Sequence, residues 1–66
     1  MNVMINGALT PVRDGLTVRA LIEDLGLGGG PVAVEINRAI VPRAQHAEHL
    51  IAAGDVIELV HLVGGG

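Results

Sequence analysis

Few residues in this sequence could do chemistry. Its 66 residues include no Cys, Lys or Ser, which removes thiolate nucleophiles, side-chain persulfides, thiolate metal sites and Schiff bases. Thr10 and Thr17 stand in no nucleophile motif. His46 and His49 are spaced i, i+3 and, with His61 and Glu48, could surround a metal, but spacing alone is a weak signal. They read as ordinary surface residues, with His61 partly buried, and no metal is expected. Glu23 and Asp24 are adjacent on a predicted helix and cannot converge as an acid–base pair. Gly28-Gly29-Gly30 matches a phosphate loop only in composition, because it follows a helix and precedes a strand, the reverse of the required order. Arg43 could meet a partner's acid or a structural ion pair.

What remains is the backbone at Gly64-Gly65-Gly66. A glycine run has no side chains, so it can enter a cleft that any Cβ would block. Fully extended, it reaches ~10 Å. The carboxylate at Gly66 would be ionised (pKa ~3.5) and a poor electrophile. To become an acyl donor it must first be activated, and adenylation by ATP is the usual route. The chain has no phosphate loop, so a nucleotide-binding partner would have to do this. A glycine-rich end is often only a frayed tail, linker or cloning scar. Against that, these glycines follow the last predicted strand with no polar spacer, and they read as the natural chain end.

A chain of this length makes one domain and buries only ~60% of its unfolded surface. The core must be aliphatic, since there is no Phe, Tyr or Trp, yet half of the residues are hydrophobic. Four Arg face seven Asp and Glu. Arg13, Arg19, Arg38 and Arg43 are scattered, and no aromatic ring is available to stack a base. Nucleic acid is therefore an unfavourable partner. No stretch approaches the ~20 apolar residues of a membrane span, and no signal-peptide pattern is visible. The expectation is a soluble cytoplasmic protein, monomeric when free.

The elements that must position the tail follow from local patterns. Val3-Met4-Ile5 and the run from Leu9 to Arg13 flank Asn6-Gly7, a two-residue hairpin signal, with Pro11 marking an edge strand. Thr17 is placed as a helix N-cap. Val18, Leu21, Ile22 and Leu25 then form one apolar stripe, and Gly26 closes the helix. Val32 to Asn37 alternates as a strand, Asn37-Arg38 turns, and Ile40-Val41 is a brief strand closed by Pro42. Residues 44–50 are ambiguous between a short helix and irregular turn. Val56 to Val63 is a β-branched run that belongs well inside the sheet. The class is α+β: a mixed sheet of about four to five strands packed on one main helix, with one face left outward. In the last strand Ile57 and Leu59 should face the helix. Glu58, Val60 and Leu62 would then face outward and, with Met4 and Ala33, form a patch beside the tail. Exposed apolar residues of this kind are also common without function.

The stretches Ile5-Asn6-Gly7, Thr17-Val18 with Leu21-Ile22, Val32 to Asn37, Ile40-Val41-Pro42-Arg43, Gly54 to Glu58 and Val63 to Gly66 resemble the ThiS family of thiamine-biosynthesis sulfur carriers. The likeness runs through nearly the whole chain and is most specific from Val32 to Arg43 and at the glycines. It implies a β-grasp, ubiquitin-like domain over residues 1–63 and a flexible tail over 64–66. It also implies a protein cosubstrate and not an enzyme. A ThiF-like adenylyltransferase using Mg-ATP would adenylate Gly66. A persulfide sulfur, ultimately from cysteine through a donor such as a cysteine desulfurase, would yield a thiocarboxylate. A ThiG-like thiazole synthase would consume it, with Gly64 and Gly65 threading the partners' active sites and no cofactor bound by the chain itself. In such carriers the outward sheet face meets the activating enzyme. The alternatives are a molybdopterin-type sulfur carrier and a β-grasp interaction domain with an inert tail. A small hydrolase or metal enzyme is remote, given the missing nucleophiles and ligands.

Overall fold

The computed structural model describes residues 1–62. Strands β1 (Asn2–Ile5) and β2 (Ala8–Pro11) form the first hairpin, followed by helix α1 (Val18–Asp24). Strands β3 (Val32–Ile36) and β4 (Ala39–Val41) form the second hairpin, and β5 (Val56–His61) comes last. The five strands lie in the order β2-β1-β5-β3-β4. The last strand is therefore central, parallel to β1 and antiparallel to β3. Pro11 sits on an edge strand, as its missing N–H requires.

Both hairpins close on two-residue turns with φ positive at each position: Asn6 and Gly7 at 50° and 83°, Asn37 and Arg38 at 51° and 70°. This geometry matches the twist of the flanking strands, and asparagine and glycine tolerate it best. Arg38 is the exception, holding a left-handed conformation that disfavours a Cβ.

The helix is capped at both ends. Thr17 caps the start, its Oγ1 accepting from the Ala20 N–H at 3.1 Å. The Val18 and Arg19 N–H groups donate to the carbonyls of His49 and His46, both at 2.9 Å. Residues 46–49 thus satisfy donors that every helix leaves open. That is why this segment, a single 3-10 turn at Arg43–Gln45 followed by irregular chain, shows no periodicity of its own. At the other end Gly26, with φ 76°, closes a Schellman motif. Its N–H donates to Glu23 O, and that of Leu27 to Ile22 O.

The core is wholly aliphatic: Val3, Leu16, Val18, Leu21, Ile22, Val34, Ile36, Val41, Ile51, Ile57 and Leu59. Four expectations are corrected. Leu25 does not complete the helix stripe, because it caps the helix and is 41% exposed, while Leu27 packs on the core in its place. His46 is buried, with Nε2 donating to Val41 O at 3.0 Å. His61, expected to be partly buried, is exposed, lying against Gly30 at the end of the strand. The expected strand from Val56 to Val63 ends at His61, and Val63 lies outside the described residues. No helix among the described residues is long and apolar enough to cross a membrane.

Ile57 is fully buried on the central strand, so Ile57→Ala should cost about 2–5 kcal/mol, read as a lowered denaturant midpoint. Arg38→Gly should raise that midpoint, by about 0.5–1 kcal/mol, by relieving the left-handed turn.

Candidate functional site

The site is the place where the chain leaves the sheet. β5 alternates as its sequence dictates: Ile57 and Leu59 face the core, while Val56, Glu58 and Val60 face outward. Val60 and Leu62 are 56% and 47% exposed. Ala33 lies directly opposite Val60, so these two sit together near the end of β5, with Leu62 just past it. Glu58 lies opposite Glu35, which sets two carboxylates side by side in an otherwise apolar face. Met4 is half-buried and lies opposite Val56, about 13 Å back along the strand from Val60. It belongs to the same face. Gly64, Gly65 and Gly66 lie outside the described residues.

The outward face is wider than the sequence reading drew it. Leu9, 68% exposed, stands opposite Met4, and Ile40, 79% exposed, opposite Glu35. The signal for Leu9 was present: a two-residue turn at Asn6-Gly7 fixes the register and puts Leu9 beside Met4. Ile40 follows in the same way from the turn at Asn37-Arg38.

Asn6 plays a second part that the sequence reading missed. Its Oδ1 accepts from the Leu59 N–H at 2.8 Å, and its Nδ2 donates to Leu59 O at 3.1 Å. Asn37 does the same for the start of β5, with Val56 N–H donating to its Oδ1 at 2.9 Å. Asn37 also donates from Nδ2 to Asp55 Oδ1 at 3.0 Å.

On the helix side a cleft of about 250 Å³ is lined by Arg19, Glu23, Gly30, Arg43 and His46, among others. Arg19 reaches Glu23 only at 3.9 Å, with both side chains exposed, a contact of little worth. Arg43 makes no ion pair among the described residues. The His46 ring is bound to a carbonyl, and the lining carries no hydroxyl, thiol or amine. His46, His49 and His61 do not converge, and no group of three metal-ligating side chains forms among the described residues. The perturbed ionisable pair is Arg13 and Asp24, joined at 2.9 and 3.3 Å. The hydrogen bond from Arg13 lowers the Asp24 carboxyl below its ordinary range, and the same bond raises Arg13. It ties the segment after β2 to the helix and has no part in the outward face.

One helix packed on a five-stranded mixed sheet, with the last strand at its centre, defines a β-grasp domain of the ubiquitin-like kind. The sequence model of the ThiS family matches residues 3–66, and the chain belongs to that family. It is similar to the sulfur carrier protein ThiS of Escherichia coli, 36% identical over 66 residues and covering all of both chains. It is also similar to a thiazole synthase of Paramagnetospirillum magneticum, 39% identical over 66 residues. All of this chain is covered there, but it spans only 20% of that relative's length. Among solved structures, the thiamine biosynthesis protein ThiS of Geobacter metallireducens aligns over the whole of both chains, with a TM-score of 0.81 and 31% identity.

Proposed function

We propose that this chain is a sulfur carrier of thiamine biosynthesis that holds its cargo as a thiocarboxylate at Gly66. The observation that carries the reading is the coupling of two features. The central strand ends at His61, two residues before the glycine segment in sequence, and beside that strand end lie exposed Val60, Leu62 and Ala33. An exposed apolar patch next to a reactive end suits docking on an enzyme that must receive that end. Family membership favours thiamine over molybdopterin synthesis.

The chemistry needs nothing from the chain's side chains. A ThiF-like adenylyltransferase joins the Gly66 carboxylate to AMP from Mg-ATP and releases pyrophosphate. The acyl carbon is now a competent electrophile with a good leaving group. A persulfide attacks it and expels AMP, and a thiol then cleaves the resulting acyl disulfide, leaving the thiocarboxylate. A ThiG-like thiazole synthase takes the sulfur into its substrate, and an oxygen from that substrate or from water replaces it, returning the carboxylate. The chain is a cosubstrate in this cycle, binds no cofactor of its own and works as a monomer between partners. Glycines at 64 and 65 let the end pass where side chains would clash. The absence of Cys keeps persulfide sulfur from being captured on the carrier's own side chains.

Incubation with ATP, a persulfide source, a thiol and the adenylating enzyme should replace one oxygen by sulfur in the intact mass, and removal of Gly66 should abolish the exchange. An unchanged mass for the full chain would overturn the reading. Replacing Val60 by Thr and Leu62 by Ser together should weaken binding to the adenylating enzyme about tenfold. The melting temperature should move little, because both residues are exposed. Calorimetric titration reads the first effect.

A further inference from the structure

We propose that Asn6 is a positioning residue for the carrier reaction: its carboxamide clasps the Leu59 backbone and fixes the course of β5 where β1 no longer accompanies it. The proposal rests on the sulfur-carrier reading above. β1 and β5 run parallel, with Met4 opposite Val56 and Ile5 opposite Ile57. Their ladder includes the Met4 N–H on Asp55 O and the Asn6 N–H on Ile57 O, both at 2.9 Å. At Asn6 the chain swings into its hairpin turn, with φ 50°, and its backbone can offer Leu59 nothing further.

The side chain takes over. A carboxamide presents one acceptor and one donor side by side, as the backbone of a neighbouring strand does. Asn6 thus supplies the rung that a longer β1 would have supplied, accepting from Leu59 N–H at 2.8 Å and donating to Leu59 O at 3.1 Å. Beyond it, β5 is held on the β3 side alone: His61 opposite Val32, and the Leu62 N–H on Pro31 O at 2.9 Å. That end of β3 is fed by Gly28-Gly29-Gly30, a stretch with wide backbone freedom. A strand gripped on one edge can swing, and one gripped on both edges at Leu59 leaves the sheet on a fixed line. Any swing there is passed to all that follows Leu62.

The turn itself does not need this carboxamide, since glycine adopts positive φ more readily than asparagine. Asn6→Gly therefore keeps the turn and removes only the clasp. Asn6→Asp keeps the turn and the acceptor, but sets a carboxylate oxygen against Leu59 O with no proton between them. The full chain and both variants would be compared with the adenylating enzyme, Mg-ATP and a persulfide source, at a temperature where all three are folded. In Asn6→Gly, amide exchange at Leu59 should quicken about tenfold. The KM for the carrier should rise about tenfold with kcat changed less than about twofold, because the enzyme must now order a wandering strand end. Asn6→Asp should be at least as impaired. An Asn6→Gly protein with the parent's KM, or an activity loss matched by its unfolded fraction, would overturn the assignment. Failure of the parent itself to be charged would instead overturn the carrier reading. Leu59 exchange would then decide the clasp alone, and an unchanged rate in Asn6→Gly would overturn it.

Discussion

The sheet depends on the insertion of β5 between β1 and β3. The two hairpins have no direct strand pairing with each other, and only this strand joins them into one surface that the helix can cover. Each hairpin offers β5 an asparagine from the first position of its turn: Asn6 to Leu59, and Asn37 to Val56. Both asparagines hold φ near 50°, so the residue that makes each turn also closes the sheet. Ile57 and Leu59 then carry the centre of the core, and the alternate residues of the same strand carry the middle of the outward face. The centre of the core and the outward face therefore rest on one six-residue strand.

The division of labour follows from composition. An aliphatic core without rings or thiols gives a small body with nothing reactive in it, and every polar device within it is structural. Thr17 caps the helix, His46 bonds the Val41 carbonyl, Asp55 accepts from the Ala52 N–H at 2.8 Å, and the asparagines bind strands. A carrier gains from such a body: an activated acyl group or a thiocarboxylate meets no thiol, lysine amine or serine hydroxyl on its own chain.

Local codes were legible in the sequence because they act over short range. Asn6-Gly7, Thr17, Gly26 and Pro11 each name a backbone geometry, and the alternation from Val32 and from Val56 names a face. The depth of β5 could be read from its β-branched run, but its neighbours could not, since pairing with β1 is a contact across some fifty positions that no periodicity encodes. For the same reason the clasp of Asn6 on Leu59 was hidden behind its role in the turn. Residues 44–50 stayed ambiguous because their carbonyls serve the start of a helix far back in the chain. The exchange of roles between His46 and His61 has a similar origin: one is drawn under the sheet edge by the Val41 carbonyl, and the other sits at a strand end against a residue without a side chain. At the tail, residues 64–66 remain a matter of sequence and chemistry alone.

The central claim is that sulfur passes through the backbone end of this chain. Labelled sulfur supplied as a protein persulfide gives the most direct measurement, with the charged chain purified and handed to thiazole synthase in a single turnover. One label per chain, lost from the carrier in step with its appearance in the thiazole, is the predicted result. Label reaching the thiazole at the same rate when the labelled persulfide is given directly to thiazole synthase without the chain, or label retained on the carrier throughout, would contradict the account.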